Sequence, residues 1–182
     1  MAAIHDILQQ CVHTLQFLSL VLGSDLSDPF GFKIPSLTSH LSLEYLEING
    51  VKIGYLSTFA SHLPQLISSS VVYFHLGLDG KPSSIFCEES ISSWKNVDDT
   101  LSDPRFKQLD RFVVSVYPPL PTNTKEFSDH GDLRAILRAA MPKSYKRGIL
   151  WWKKTIDGKI SRISQGDSSE LDIAKIKDFY FL

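Results

Sequence analysis

The chain has 182 residues, of which 43% are hydrophobic and 21% are charged, and its formal net charge is −1. These values are ordinary for one globular domain, 1–182, and they exclude a nucleic-acid or anionic-membrane binder that works through a strong overall charge. Two cysteines provide neither a disulfide framework nor a zinc site. We therefore expect a cytoplasmic or nuclear protein that is not secreted.

The first predicted element is a helix, because Ile4, Ile7, Leu8 and Cys11 follow the spacing of one helix face. The same N-terminal stretch lacks the basic region and the long apolar segment of a signal peptide. The longest apolar stretch, near residues 15–22, is too short to span a membrane. No membrane association is expected.

A Leu-x-x-Leu-x-Leu-like pattern then recurs five times and predicts one short strand at each occurrence. It lies at residues 15–20, 43–48, 71–76, 109–114 and, with its first position degraded, 147–152. The middle positions (18, 46, 74, 112 and 150) are 28, 28, 38 and 38 residues apart. A repeat of this length with one strand per unit indicates stacked units that share a continuous core.

Helical patterns separate most of these strands. They cover residues 55–67, where Pro64 is expected to interrupt the helix, residues 90–101, which end before Pro104, and residues 132–141. Residues 118–131 form a Pro-rich loop. The Asp157-Gly158 turn signal predicts a hairpin between residues 150–155 and 159–163. We expect a repeat-like core over 10–152, followed by a C-terminal hairpin and a docked tail over 153–182.

This order of elements predicts an α/β fold in which helical crossovers join parallel strands. Two architectures fit it: a stack whose strands follow chain order, or an open doubly wound parallel sheet whose order reverses once. The equal 28-residue periods favour the stack. The Gly-rich phosphate turn expected after the first strand of a nucleotide-binding sheet is absent, since Gly23 stands alone there.

The repeated pattern is similar to that of leucine-rich repeats. The segments HTLQFLSLVLG, LTSHLSLEYLEING, WKNVDDTLSDPRFKQLDRFVVSVY and LRAILRAAMPKSYKRGILWW resemble the C-terminal leucine-rich-repeat-like region of mushroom-type fungal F-box proteins, over roughly residues 10–152. The resemblance implies a short leucine-rich-repeat-like stack that recognises a protein. No F-box is found before it, so a ubiquitin-ligase role is not carried over. The Asn or Cys of the repeat ladder is replaced by Gly23, Val51, Asp79 and Tyr117.

Residues between the core positions of each strand are expected to face outward in three rows across the sheet. The rows are Phe17, Tyr45, Tyr73, Arg111 and Ile149; Ser19, Glu47, His75, Val113 and Trp151; and Val21, Asn49, Gly77, Ser115 and Lys153. Adjacent aromatics followed by an arginine are typical of protein-binding surfaces. We therefore predict a protein-interaction or scaffold module. Its expected contacts with a protein partner or second copy are Phe17, Tyr45, Tyr73, Arg111, Trp151 and Lys153.

Two alternatives remain open for this face. Residues 170–182 or 118–131 would make it core if either segment folded over it. Alternatively, the chain is a small enzyme that uses Glu47 and His75 as an acid–base pair in a pocket under the 118–131 loop. A triad with Ser19 is not expected, because Ser19 lies on the far side of Glu47 from His75. No cofactor or metal motif is found, and a helix-start turn explains His130 better than a metal site.

Charge is unevenly distributed along the chain. Residues 88–103 carry five acidic residues and one lysine, whereas residues 131–154 carry seven basic residues and one aspartate. Solvated helix faces and loops are the leading explanation of this pattern; the alternative is that the acidic helix meets a basic patch on a second copy. The basic segment with Trp151 suits a nucleic-acid backbone, but no RNA-binding motif accompanies it, so nucleic acid is not an expected partner. A dimer or partner complex is expected, because only the first helix shields the first strand.

Overall fold

The computed structural model describes residues 2–22, 36–80, 88–117, 137–156, 159–165 and 169–170. The helices with described bounds are α1 (Ala2–Gln10), α2 (Leu56–Leu66), α3 (Glu88–Leu101) and α4 (Pro142–Lys146), and residues 137–140 are helical as well. The strands are β1 (Phe17–Val21), β2 (Tyr45–Lys52), β3 (Tyr73–Asp79), β4 (Arg111–Tyr117), β5 (Leu150–Ile156), β6 (Lys159–Gln165) and β7 (Ser169–Glu170). The loop 118–131 with His130, and the tail from 171 onward, lie outside the described residues.

The strands form one sheet in which every strand lies beside its neighbours in chain order, β1 to β7. Strands β1 to β5 are parallel, whereas β6 and β7 are added antiparallel. The α/β stack of parallel strands is therefore confirmed. The doubly wound alternative is wrong, since it requires the strand order to reverse. The antiparallel pairing of β5 with β6 also confirms the hairpin predicted from Asp157-Gly158.

One face of the sheet packs against the helices and forms the core. The Leu-type positions of the repeat supply it, because alternate strand residues point to the same side. Leu46, Phe74, Phe112 and Val114 are completely buried, and the rings of Phe74 and Phe112 stack with centroids 5.2 Å apart. The repeat thus positions the opposite face, on which the predicted rows lie; we call it the helix-free face because none of the described helices packs on it.

The helices follow the sequence patterns except at Pro64. The pattern of residues 90–101 corresponds to α3, which ends before Pro104 as predicted. Pro64 was expected to interrupt its helix, yet it lies inside α2, whose C-cap is Ile67. A proline this close to the helix end removes a backbone donor from the last turn only, and the rest of the helix is retained by its buried face. No helix among the described residues is long and apolar enough to cross a membrane.

A β-bulge shapes the end of β2 beside β1. The register with β3 shifts between Ile48 and Val51, and Gly50 within this interval has φ of 78°. A Cβ at Gly50 would lie 2.5 Å from the carbonyl oxygen of Leu22. Glycine is therefore required there for both the left-handed backbone and the close approach of the two backbone segments.

The acidic helix α3 meets the basic segment of its own chain. The buried carboxylate of Asp98 accepts hydrogen bonds from the backbone N–H groups of Lys143 (3.0 Å) and Ser144 (2.7 Å) at the start of α4. The Lys143 ammonium donates to Asp99 (2.7 Å), and Arg147 donates to three backbone carbonyls that follow α3. Asp98 and Asp99 of the acidic helix are thus paired with the basic segment of the same molecule.

Asp98→Ala is expected to lower the free energy of unfolding by about 3 kcal/mol, because it leaves two N–H groups of α4 without their charged acceptor. Asp99→Ala is the matched control. Its ion pair with Lys143 is exposed and screened by solvent, so its loss is expected to change the stability much less. Urea denaturation of both variants measures the difference. Equal losses would show that Asp98 does not hold α4 in place.

Candidate functional site

On the helix-free face, β1 to β4 have the register that the first two rows predicted, whereas the third row is interrupted by the β2 bulge, which shifts Asn49 out of register with Gly77. Tyr45 lies opposite Phe17 and Tyr73, and Tyr73 lies opposite Arg111. The Phe17 and Tyr45 rings stack with centroids 4.4 Å apart and 10° between their planes, and Tyr45 and Tyr73 stack at 4.5 Å and 7°. We call Phe17, Tyr45 and Tyr73 the aromatic ladder. It is one continuous stack of rings that crosses three neighbouring strands.

The aromatic ladder is open at its β1 end. Phe17 is 49% exposed, and Tyr45 and Tyr73 are partly exposed. Arg111 continues the row, but its guanidinium lies over the Trp151 ring, 5.4 Å from the centroid, and its Nε is 3.3 Å from Asp110. The predicted contact surface is therefore accessible mainly on β1 to β3.

The prediction that all three rows face solvent is wrong from β3 onward. His75, Val113 and Ser115 are completely buried, and Trp151, which was expected to be exposed, is buried too. Lys153 is partly buried, and so is the Arg111 guanidinium that covers Trp151. The polar residues at this end of the face are therefore enclosed.

A chain of hydrogen bonds crosses four parallel strands on this face, and we call Ser19, Glu47, His75 and Ser115 the polar chain. His75 Nδ1 lies 2.8 Å from Glu47 Oε1, and His75 Nε2 lies 2.8 Å from Ser115 Oγ. Ser19 donates to Glu47 Oε2 at 3.1 Å, and Asn49 donates to Glu47 Oε1 at 2.9 Å. Because a carboxylate only accepts, His75 Nδ1 is the donor to Glu47, and in the neutral ring Nε2 accepts from Ser115.

The sequence placed Glu47 beside His75, and Ser19 beyond Glu47, as the structure has them, but it missed Ser115. Ser115 lies opposite Gly77 in the register and is the diagonal neighbour of His75. A Cβ on Gly77 would overlap the Asn49 amide oxygen and lie 2.8 Å from the Tyr117 ring. A serine diagonal to His75 and opposite a glycine was the pattern from which the bond between His75 and Ser115 could have been predicted.

Hydrogen bonds and burial shift the pKa values of the charged groups at this site. The pKa of Glu47 is lowered from 4.5 to about 2, chiefly by the hydrogen bond from His75 and to a smaller extent by the bonds from Asn49 and Ser19, against the opposing effect of burial. Burial lowers the pKa of Lys153, and the negative charge of Glu47 opposes that shift. Glu47 is therefore ionised at neutral pH, which keeps the shared proton on His75 Nδ1.

Ser115, His75 and Glu47 have the mutual geometry of a nucleophile, a general base and a carboxylate that orients the base. Such a set activates a serine when a substrate can reach the hydroxyl. Here neither Ser115 nor His75 has accessible surface. In this conformation the polar chain joins four strands, and the serine hydroxyl is buried.

Comparison with known proteins adds no assignment: no family model, no curated protein and no solved structure matches the chain. The functional argument therefore rests on the fold and on the geometry of the helix-free face.

Proposed function

We propose that this chain is a protein-interaction module that binds a segment of a partner protein across the aromatic ladder. The observation that carries the proposal is the stack of Phe17, Tyr45 and Tyr73, with ring centroids 4.4 and 4.5 Å apart and its outer ring half exposed. Rigid aromatic side chains bury a large area at low entropy cost, which is why they dominate the energetics of protein interfaces. Arg111 extends the row with a charged donor at the inner end.

The architecture supports the same proposal. A stack of strand–helix units presents one wide sheet face, and repeat proteins of this kind commonly bind through such a surface. We take the chain to be leucine-rich-repeat-like, in line with its resemblance to the C-terminal region of fungal F-box proteins, and without their ubiquitin-ligase role. We place it in the cytoplasm or nucleus, because its two cysteines give it no disulfide framework.

Selection from a displayed peptide library tests this function. Peptides selected on the wild type are expected to bind Phe17→Ser and Tyr45→Ser at least about tenfold more weakly, a loss of about 1.4 kcal/mol. The matched control is Leu41→Ser, because Leu41 is 66% exposed and lies outside the aromatic ladder. Circular dichroism shows that each variant is folded. Peptides that bind all three variants equally would contradict the proposal.

A second candidate function, acyl transfer from a nucleophilic serine, is favoured by the two 2.8 Å contacts that join Ser115, His75 and Glu47. In that reaction Ser115 Oγ attacks an ester carbonyl while His75 Nε2 takes its proton. His75 then returns the proton to the leaving alcohol, and water hydrolyses the acyl-enzyme. The complete burial of Ser115 and His75 opposes this function and makes it the second candidate.

A fluorophosphonate probe, which labels activated serines covalently, distinguishes the two functions. The enzyme candidate requires labelling of the wild type and of Ser19→Ala, and loss of labelling in Ser115→Ala. Ser19 is the matched control because it belongs to the same polar chain but does not contact His75. Absence of labelling in the folded wild type would eliminate the enzyme candidate and leave the interaction module.

A further inference from the structure

The first helix–strand unit carries most of the exposed apolar side chains. Among the described residues the large exposed hydrophobic side chains are Ile7, Phe17, Leu41, Val72 and Val21, the last being 76% exposed. Three of these five lie in α1 and β1. Terminal units of a stack normally present polar outer surfaces, because no further unit covers them. This end of the sheet therefore has the composition of an interface.

The outer edge of β1 also offers backbone hydrogen-bonding groups. The carbonyl of Gln16 accepts from the N–H groups of Glu44 and Tyr45 at the start of β2, and the N–H of Leu22 donates to the carbonyl of Asn49 in β2. Because these groups alternate along a strand, residues 16, 18, 20 and 22 face β2. The N–H and C=O groups of Phe17, Ser19 and Val21 then point toward the outer edge, where no strand is paired in the described part of the chain.

Nothing in β1 protects this edge. Edge strands are commonly shielded by charged residues, by proline or by being very short. The sequence of β1, FLSLV, contains neither charge nor proline. By contrast, the last strand on the other side of the sheet, β7, has two residues. The two edges of the same sheet thus differ in the features that prevent strand addition.

We propose that two copies of this chain pair through β1, antiparallel, about a two-fold axis at Ser19. This register places Ser19 opposite Ser19 of the other copy. On each side of this pair, Phe17 of one copy lies opposite Val21 of the other. Each opposed pair exchanges two backbone hydrogen bonds, and the sheet continues from one copy into the next. The two Phe17–Val21 pairs bury the most exposed apolar side chains of β1 against each other.

The order of residues in β1 favours a second copy over an unrelated partner. A two-fold interface requires a self-complementary patch. FLSLV meets this requirement around its central serine, with apolar outward-facing residues at both ends and a small residue on the axis. The pairing also closes after two copies, because it uses the same edge twice. The inference rests on the proposed function in one respect, since it takes the outermost ring of the aromatic ladder as an interface residue.

Sedimentation equilibrium of the full chain over a range of concentrations tests the pairing. We expect the wild type to form a dimer and Val21→Lys to weaken it at least about tenfold, because the substitution places two charges in the apolar pairs. Ser19→Pro removes an outward N–H without affecting a β1–β2 backbone hydrogen bond, although it also removes the side-chain bond from Ser19 to Glu47, and it is expected to have the same effect. Leu41→Lys is the matched control, since it changes an exposed apolar residue outside β1. Circular dichroism verifies that the variants fold.

The outcomes separate this inference from the proposed function. A wild type that stays monomeric, or a dimer unaffected by both β1 variants, would overturn the pairing. If ladder-dependent peptides are nevertheless selected, the interaction module stands. Conversely, a dimer lost in Val21→Lys but retained in Tyr73→Ser supports the pairing. If the library then yields no peptide whose binding depends on the aromatic ladder, the proposal that the chain binds other proteins is overturned, but the pairing of two copies is not.

Discussion

Replacing Phe74 with alanine is expected to lower the free energy of unfolding by about 3–5 kcal/mol, the loss typical of a large aromatic residue removed from a packed core. Phe74 is completely buried on the helix side of β3, and its ring stacks on Phe112 in the next strand. Its removal loses the transfer free energy of the ring and leaves a cavity between the sheet and the helices. Urea denaturation, analysed with a constant m-value, measures the loss.

Tyr73→Ala is the matched control for this prediction. Tyr73 precedes Phe74 in the same strand and points to the opposite face, where it is partly exposed and stacks on Tyr45. We expect its loss to be less than half that of Phe74→Ala. A loss as large as that of Phe74→Ala would show that the aromatic ladder is a second core, and the interaction proposal would then fail.

Glu47→Gln is expected to destabilise the protein by about 3 kcal/mol at pH 7 and to remove much of its stability change in acid. The folded-state pKa of Glu47 is about 2, below the ordinary 4.5, chiefly because His75 donates to the carboxylate. A lowered pKa means that the fold favours the ionised form. The corresponding stability is complete above about pH 4.5 and is lost as the pH falls toward 2. With 1.36 kcal/mol per unit, the shift corresponds to about 3 kcal/mol.

The measurement is the free energy of unfolding between pH 7 and pH 2 for the wild type, Glu47→Gln and Glu44→Gln. Glu44 is exposed and lies just before β2, so it serves as the matched control. The wild type and Glu44→Gln are expected to lose stability together below pH 4.5, whereas Glu47→Gln loses less. Parallel curves for all three proteins would show that the bond between Glu47 and His75 does not stabilise the fold.

Much of the fold could be predicted from the sequence, because its signals are local and periodic. The alternation of core and outward positions set the register that brings Phe17, Tyr45 and Tyr73 into one row. Contacts that depend on three-dimensional packing could not be predicted in this way. Asp98 caps α4 from a helix more than forty residues away in the chain, and α2 continues through Pro64.

The candidate site likewise combines contacts that could be predicted from strand periodicity with a contact that could not. The alternation rule assigns Glu47 and His75 to one face and makes them neighbours, and the structure agrees. The bond from His75 to Ser115 is diagonal, so it depends on the orientation of the imidazole ring and on the space above Gly77. Neither the ring orientation nor the space above Gly77 follows from the alternation of residues along a strand.

The sequence by itself determined the repeat, the number of parallel strands and the residues that share each face, whereas the structure decided between the two strand orders that the sequence left open. Strand periodicity is a property of the backbone, so these features follow from the spacing of apolar residues. Only the tertiary structure decided which outward-facing residues are accessible. Periodicity states to which side a side chain points, whereas burial depends on everything else that packs on that side. For this reason Trp151 and Ser115 are enclosed, while Phe17 and Val21, on an edge strand, remain exposed.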